Sequence, residues 1–270
     1  MLFGTCIDWK NREKLLSAKA AGAEFVEFSF SSFANATQEQ INELAEFLKD
    51  IDLPCLSYNG MLPGTHRVTG PRKDYAKAAQ FVDEIMTKVA VLDARNVVFG
   101  SSGARQLEEG DDYDTSFAEV QEFTRDWLAP VFAKHGFTCA IETLSECNLV
   151  HTMADGMRIV EYANHPNVKL LCDFYHVWKN GEPMDQYHVY GPVLNHVHVA
   201  SVSLGRAVPR FDDGDEAKYV EMFEILKREG YDGPISLEGS YKTDNYIREV
   251  KEALACLTVC AAKATYGNKA

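Results

Sequence analysis

Four polar residues share one position, the C-terminal end of an apolar strand pattern: Glu142, Asp173, His198 and Glu238. The residues directly before them are apolar or small, namely Ile141, Cys172, Val197 and Leu237. Because side chains alternate along a strand, the polar residues face one side and their neighbours face the other. Three carboxylates gathered in a poorly solvated space repel one another, and a divalent cation relieves that repulsion. Carboxylates with one imidazole form a hard, oxygen-rich ligand set, which favours Mn²⁺, with Mg²⁺ or Co²⁺ as alternatives, over a thiolate-type zinc site.

Each of these residues also has an ordinary structural interpretation. A single glutamate at a strand end is more often a solvated loop residue or a helix cap than a ligand. Asp173 is placed to cap a following turn, with His176 in a solvated loop, and His196 is typical of a hydrogen-bonded core histidine. The metal-site hypothesis therefore depends on the joint pattern of the strand ends.

The elements that must position these residues alternate between strand and helix patterns. Strands are predicted at 3–7, 25–27, 53–58, 96–99, 138–141, from 168, at 194–199 and at 234–237. Helices are predicted at 11–21, after a capping box at Thr37, and at 74–92, 114–136, 152–164, 216–229 and 245–259, with Pro130 kinking or restarting the long one. This alternation indicates a parallel sheet with right-handed crossovers. We therefore predict an α/β fold, a single (β/α)8 TIM barrel that forms one domain over residues 1–270.

Composition narrows the function classes. The chain has 270 residues, of which 46% are hydrophobic and 25% charged, as in an ordinary globular protein. Its formal net charge of −13 opposes binding to a nucleic-acid backbone, so a neutral or carbonyl-bearing small molecule fits better as a partner. We expect no membrane association and a cytoplasmic location, because no signal-type or membrane-spanning segment is evident. The seven cysteines lack a Cys-x-x-Cys pair, which indicates reduced, buried thiols.

Four segments resemble one known superfamily: Asn167 to His176, Ala140 to Glu142, Asn195 to Val199 and Ile235 to Gly239. They are similar to the sugar isomerase and epimerase superfamily with a xylose-isomerase-like barrel, which includes ketose 3-epimerases, hydroxypyruvate isomerase, inosose dehydratase and the type IV AP endonucleases. The resemblance implies one divalent metal ion, held by Glu142, Asp173, His198 and Glu238. It also implies that His176 contacts a substrate hydroxyl and that Arg206 is the arginine following the metal-binding histidine.

Two segments depart from the superfamily pattern. The ketose epimerases have a second glutamate a few residues beyond the first metal-binding one, whereas this chain has Ser-Glu-Cys-Asn at 145–148. Arg206 also lies later after His198 than the superfamily spacing. The substrate therefore cannot be named from the resemblance.

The chemistry that fits this ligand set is proton transfer at a carbon next to a carbonyl, through an ene-diolate. Glu142 and Glu238 are the candidate acid and base, one removing a proton and the other returning one, to give epimerisation or isomerisation of a sugar or keto-sugar. Glu27, at the end of the second strand, is a candidate for binding a substrate hydroxyl, or alternatively a structural partner of a nearby basic residue. His66 and Arg105, in the loops after strands three and four, are candidates for the substrate rim.

Three alternatives to an isomerase or epimerase differ in their support from the sequence. A nuclease of the superfamily carries an Asp-x-His motif after the seventh strand, and Phe-Asp-Asp-Gly-Asp at 211–215 supplies no histidine. A lyase or dehydratase uses the same enolising site, since β-elimination begins from the same carbanion. A non-catalytic sugar-binding partner subunit would keep the barrel, and assembly as a homo-oligomer or a hetero-complex is left open.

Overall fold

Eight parallel strands form a closed barrel in the computed structural model. The structure describes residues 1–265, apart from the side chains of residues 185–187. The strands are β1 Leu2–Cys6, β2 Phe25–Ser29, β3 Cys55–Asn59, β4 Asn96–Phe99, β5 Thr138–Glu142, β6 Val168–Asp173, β7 Leu194–Val199 and β8 Pro234–Leu237. Each strand pairs with its neighbour in sequence, and β8 closes the ring on β1. The predicted (β/α)8 TIM barrel is therefore confirmed. Residues 266–270, part of the predicted domain, lie outside the described residues.

Helices connect the strands around the outside of the barrel. They are α1 Arg12–Ala21, α2 Gln38–Asp50, α3 Tyr75–Val89, α4 Ser102–Arg105, α5 Tyr113–Glu122, α6 Ala129–His135, α7 Met153–Ala163, α8 Phe174–Asn180, α9 Glu216–Arg228 and α10 Tyr246–Lys263. The capping box predicted at Thr37 is present, because its side chain accepts from the amide of Gln40 while the Gln40 side chain accepts from the amide of Thr37. Short 3-10 turns occur at Phe30–Phe33, Met184–Val189 and Gly191–Val193.

Two apolar layers hold the barrel together. The residues predicted to face the helices, Ile141, Cys172, Val197 and Leu237, belong to the large core between barrel and helices. A smaller cluster of Val98, Ala140 and Leu171 lies inside the barrel. At the opposite end of the barrel the Phe25 ring approaches Gly4 so closely that a Cβ there would lie 2.6 Å from it. Apolar side chains thus occupy part of the barrel interior, next to buried polar groups such as Glu27, His196 and Ser57.

The long helix predicted over 114–136 is divided in the structure. A π-helical turn at Phe123–Leu128 separates α5 from α6, and Pro130 lies in the first turn of α6, as the restart at this proline predicts. The helical pattern predicts Trp127 on the same apolar face as Phe123, but the wider turn changes the direction of the side chains, and Trp127 is 38% exposed. A regular helical period does not hold across a π turn, which explains this error.

Helix α8 is a second difference. The sequence pattern predicts no helix directly after β6, but α8 begins at Phe174 with Asp173 as its N-cap. Oδ1 of Asp173 accepts from the amide of Tyr175 at 2.9 Å, so the predicted capping role exists beside the position at the strand end.

The seven cysteines are all free, and six of them are buried, as predicted. Within residues 1–265, none of the helices combines the length and the apolar character needed to cross a membrane.

Candidate active site

The four polar strand ends converge at the C-terminal end of the barrel. Ligand atoms of Glu142, Asp173, His198 and Glu238 all lie within 4.8 Å of one another, and we call this group the strand-end cluster. Their strands, β5 to β8, are adjacent in the sheet, so neighbouring pairing brings the side chains together. His198, Asp173 and Glu142 are buried, and Glu238 is partly exposed. A glycine makes room for one of them, since a Cβ at Gly100 would lie 2.0 Å from Oε2 of Glu142.

His198 lies between two carboxylates of the strand-end cluster. Its Nδ1 is 3.2 Å from Oε1 of Glu142 and 3.1 Å from Oε2 of Glu238. Burial and the nearby charge of Glu238 raise the pKa of Glu142. Burial also opposes ionisation of Glu238, but His198 and Arg206 outweigh it and lower the pKa of Glu238 to about 2. The two glutamates therefore differ in electrostatic environment although both face the same imidazole.

Asp173 is a buried carboxyl group whose negative charge is only partly compensated. Burial raises its pKa to about 6, against the opposing effect of Arg206. Its Oδ2 is 3.2 Å from Nη2 of Arg206, which also contacts Oε2 of Glu238 at 2.5 Å. One guanidinium thus pairs with two of the three carboxylates.

The residues present fit a divalent cation. The cluster supplies three carboxylate groups and one imidazole nitrogen, an oxygen-rich set typical of Mn²⁺ and Mg²⁺ sites. Burial raises the pKa values of Glu142 and Asp173, and the nearby His198 and Arg206 do not fully offset it. A cation at this position would stabilise the ionised form of both carboxylates.

His176 and Arg206 lie together beside the cluster. Nη1 of Arg206 is 2.6 Å from Nε2 of His176, and because arginine can only donate, Nε2 accepts. Nδ1 of the same ring lies 3.1 Å from the amide nitrogen of Ser145, 2.9 Å from Oγ of Ser145 and 3.3 Å from Oε2 of Glu146. Burial lowers the pKa of His176 to about 4, so the ring is neutral at ordinary pH. The predicted partners of substrate oxygens are therefore adjacent, and each is oriented by a second side chain.

Arg206 reaches the cluster through a tight loop. The main chain of Ser201 pairs with that of Ala207, and Arg206 itself has a positive φ of 66°. The loop lies against the end of β8, where a Cβ at Gly239 would be 2.7 Å from the main chain of Ala207. Arg206 lies later after His198 in the sequence than the superfamily spacing, yet its guanidinium contacts the predicted ligands Asp173 and Glu238.

A buried carboxylate holds this loop in place. Asp215 accepts from Oγ of Ser201 at 2.8 Å and from the amide and Oγ of Ser203 at 2.9 and 2.7 Å, and it pairs with Lys218 at 2.7 Å. We call this group the Asp215 clamp. Burial opposes ionisation of Asp215, but Lys218 and these hydrogen bonds outweigh it and lower the pKa to about 2.

Glu27 lies beneath the strand-end cluster, fully buried. Its carboxylate is 3.0 Å from Nε2 of His198 and 2.7 Å from Nε2 of His196, and Ser236 donates to it at 2.6 Å. Burial opposes ionisation, yet the two histidines outweigh it and lower the pKa of Glu27. His196 is thus a hydrogen-bonded core histidine, as its ordinary interpretation predicted.

The remaining two predicted residues lie further from the cluster. Arg105 is fully buried, where its Nη2 donates to the main-chain carbonyl of Glu142 and its guanidinium lies over the Phe99 ring. His66 is half-buried in the loop after β3, with its ring 4.4 Å from that of Phe81. Within residues 1–265, no hydrogen bond or ion pair joins either side chain to a side chain of the strand-end cluster.

Sequence reasoning missed three side chains near the site. Glu146 approaches His176, Tyr175 packs under the guanidinium of Arg206 at 4.9 Å, and Asn59 donates to Oε1 of Glu238 at 2.9 Å. Asn59 ends β3 and so followed the same strand-end rule, which could have found it. An open cavity of about 420 Å³ extends from Asn59 past Cys6, Asp8 and Lys10 and gives access from solvent.

The chain belongs to the xylose isomerase-like TIM barrel family, whose pattern matches residues 15–260. It is 27% identical over 147 residues to a 3-dehydroshikimate dehydratase of Bacillus anthracis, an alignment that covers 52% of this chain and 48% of that relative. It is 26% identical over 137 residues to a 3-dehydro-D-guloside 4-epimerase of Escherichia coli strain K12, covering 49% of this chain and 50% of the relative. The chain thus spans about half the length of these curated relatives. A crystal structure of a D-psicose 3-epimerase in the presence of D-fructose superposes with a TM-score of 0.82 at 18% identity, covering 97% of this chain and 99% of that one, which shows the shared fold.

Proposed function

We propose that this protein is a divalent-metal-dependent isomerase or epimerase that moves a proton at a carbon next to the carbonyl of a sugar or keto-sugar. The observation that carries the proposal is the strand-end cluster, in which four ligand groups lie within 4.8 Å and two of them are glutamates on either side of His198. Similarity to an epimerase of a dehydrogenated guloside supports this reaction class and a small carbohydrate as the substrate.

Glu142, Asp173, His198 and Glu238 would hold one metal ion, with Mn²⁺ preferred and Mg²⁺ or Co²⁺ as alternatives. When bound, the metal would polarise the substrate carbonyl and stabilise the negative charge that develops after proton removal. The donor set supports this assignment because hard oxygen ligands prefer these ions.

Glu142 and Glu238 would perform the proton transfers. Both carboxylates contact the same imidazole nitrogen, and a substrate bound between them would have one carboxylate toward each face. The glutamate with the higher proton affinity, Glu142, suits proton donation, and the ionised Glu238 suits proton abstraction.

His176 and Arg206 would bind substrate oxygens at the rim of the cluster. Arg206 is partly exposed, and His176 is oriented by Ser145, so each is held in a defined direction before a substrate arrives. We assign His66 to the outer rim, and Arg105 supports the end of β5 through the carbonyl of Glu142. The contacts of Glu27 with His196 and His198 support a role other than substrate binding.

A lyase or dehydratase that eliminates from a keto-sugar or keto-glycoside is a second candidate, favoured by the similarity to a 3-dehydroshikimate dehydratase. Elimination and epimerisation both begin with removal of a proton next to a carbonyl, so the same residues serve both. A sugar-binding partner subunit without turnover is the non-catalytic alternative.

Metal analysis tests the ligand set. Purified protein should hold about one Mn²⁺, Mg²⁺ or Co²⁺ per chain, released by a chelator, because the ligands form one complete set. His198→Ala should lose the metal, whereas His135→Ala, a histidine bonded to Asp83 on the outside of the barrel, should keep it. A protein without metal that gains no activity from any of these ions contradicts the proposal.

Solvent exchange tests the reaction class. Ketoses, inososes and oxidised glycosides incubated with the enzyme in D₂O should incorporate deuterium next to the carbonyl, followed by NMR. Exchange with a new epimer supports epimerisation, and exchange with loss of water or of a leaving group supports the lyase. Absence of exchange across the whole panel favours the sugar-binding subunit.

A further inference from the structure

Glu27 uses both of its carboxylate oxygens inside the protein. Oε1 is 3.0 Å from Nε2 of His198, and Oε2 is 2.7 Å from Nε2 of His196 and 2.6 Å from Oγ of Ser236. The side chain is fully buried, and its partners come from β7 and β8, 169 to 209 residues further along the chain. A carboxylate that already accepts three hydrogen bonds has little capacity left for a substrate hydroxyl.

These contacts keep a proton on one nitrogen of His198. An ionised carboxylate can only accept, so Nε2 of His198 donates to Glu27. Nδ1 faces Glu142 and Glu238 at 3.2 and 3.1 Å, and without a metal ion it also carries a proton that a carboxylate accepts. A metal ion in the strand-end cluster would replace the proton on Nδ1 and leave the one on Nε2.

His196 fixes the other side of the carboxylate. Nδ1 of His196 is buried and has no hydrogen-bond partner among the described residues, so the proton of that ring also belongs on Nε2, where Oε2 of Glu27 accepts it. Ser236 adds a second donor to the same oxygen. Glu27 is thereby held from two directions and cannot rotate away from His198.

Glu27, His196 and His198 could be taken for a second metal site, since their ligand atoms also lie close together. The distances argue against it. A metal bound at about 2.1 Å separates adjacent ligand atoms by about 3.0 Å or more. The separation of 2.7 Å between His196 and Glu27 is shorter and is typical of a charge-assisted hydrogen bond.

We propose that Glu27 is a positioning residue, which holds the imidazole of His198 in the orientation and tautomer that present Nδ1 to a metal ion in the strand-end cluster. This proposal rests on the proposed function. Hydrogen bonding of the second nitrogen of a metal-binding histidine raises its basicity and fixes its ring, and loss of such a partner weakens metal binding about 10- to 100-fold. Glu27, predicted either to bind a substrate hydroxyl or to be a structural partner of a basic residue, would therefore act through the metal ligand.

The test compares Glu27→Gln with Ser57→Ala in the full-length protein. Ser57 is the register partner of Glu27 on β3, is equally buried, and its hydroxyl bonds to Asn96 instead of to the histidines. Affinity for Mn²⁺ is measured by competition with a chelating dye, with no substrate present. Glu27→Gln should bind Mn²⁺ about 10- to 100-fold more weakly, whereas Ser57→Ala should match the wild type. Glu27→Asp, which keeps the charge but retracts it, should be intermediate and serves if the amide variant does not fold.

Kinetics and NMR separate the possible outcomes. With saturating Mn²⁺, Glu27→Gln should recover most of its kcat/KM, while a substrate-binding role would raise KM at unchanged metal affinity and overturn the inference. In metal-free wild type, ¹H–¹⁵N spectra should show the Nε2 proton of His198 protected from exchange, and its absence would also overturn it. If the wild type binds no metal, the proposed function itself fails. If it binds metal and Glu27→Gln binds equally well, only the inference fails.

Discussion

The strand-end cluster and the Asp215 clamp lie at the same end of the barrel and differ in how the charge of their carboxylates is compensated. In the cluster, three carboxylates lie together, and burial raises the pKa of Asp173 to about 6, whereas His198 and Arg206 lower that of Glu238 to about 2. In the clamp, one carboxylate is surrounded by donors from Ser201, Ser203 and Lys218, and its pKa falls to about 2. Burial alone therefore does not distinguish a site from a structural contact.

Compensation of charge distinguishes a structural carboxylate from a candidate ligand. The carboxylate of Asp215 is compensated by groups within the protein, and it holds the loop that carries Arg206. In the cluster, Glu142 and Asp173 are incompletely compensated, which costs stability in the absence of a cation and makes them available for one. Substitutions in the two regions should consequently affect different properties.

The largest expected effect is loss of turnover at the cluster. Glu142→Gln and Glu238→Gln should each lower kcat by about 10²- to 10⁴-fold, equivalent to about 3–5 kcal/mol, because a general acid or base is lost. Measured at saturating metal, the two variants should differ in exchange. The variant lacking the abstracting carboxylate should incorporate no deuterium from that substrate epimer, whereas the other should still exchange without forming the opposite epimer.

Stability provides the control for this pair. In metal-free protein, Glu142→Gln should leave the free energy of unfolding unchanged or raise it, since a charge with a raised pKa is removed. Glu43→Gln, an exposed glutamate on α2, should change neither turnover nor stability. Equal loss of exchange from both epimers in both variants would show that the glutamates serve only as ligands, and the proton carrier would then be sought at His176.

An intermediate effect is expected at the clamp. Asp215→Asn should lower the free energy of unfolding at pH 7 by about 1–3 kcal/mol, because buried donors lose a charged acceptor. Metal content should not change, while KM should rise because the loop no longer fixes Arg206. The measurements are urea unfolding, metal analysis and initial rates.

The pH dependence of the clamp follows from its lowered pKa. Because the pKa of Asp215 is about 2 in the folded protein, its ionised form stabilises the fold at pH values above the ordinary pKa of an aspartate. This contribution is lost as the pH falls toward 2. The difference between wild type and Asp215→Asn should therefore be largest near neutral pH and shrink below about pH 4. Asp212→Asn, which removes an exposed partner of Arg210, should leave the free energy of unfolding nearly unchanged at every pH, because solvent screens this ion pair. A difference that persists unchanged at acid pH would contradict the clamp.

The smallest effect is expected at His66, which belongs to neither group. His66→Ala should raise KM about two- to tenfold, the loss of one hydrogen bond to substrate, with kcat, metal content and stability unchanged. Initial rates over a range of substrate concentrations measure this. An unchanged KM would place His66 outside the site and limit the substrate rim to residues nearer the cluster.

The sequence by itself determined the barrel and the strand ends. Alternation along a strand is local, and parallel neighbours in a closed barrel all end at one face, so a polar residue after an apolar run predicts its own location. Glu142, Asp173 and Glu238 were located by this rule, and the structure brings them together with His198. The same rule applied to Asn59 would have placed it beside Glu238.

The tertiary structure alone decided how these groups are oriented. The partners of Glu27 lie 169 or more residues away, and no local period relates them. The path of the loop that brings Arg206 to Asp173 depends on hydrogen bonds to Asp215 and on close packing against Gly239. Such contacts are non-local, so they exist only after the barrel has closed, and with them are set the tautomer of His198 and the direction of Arg206.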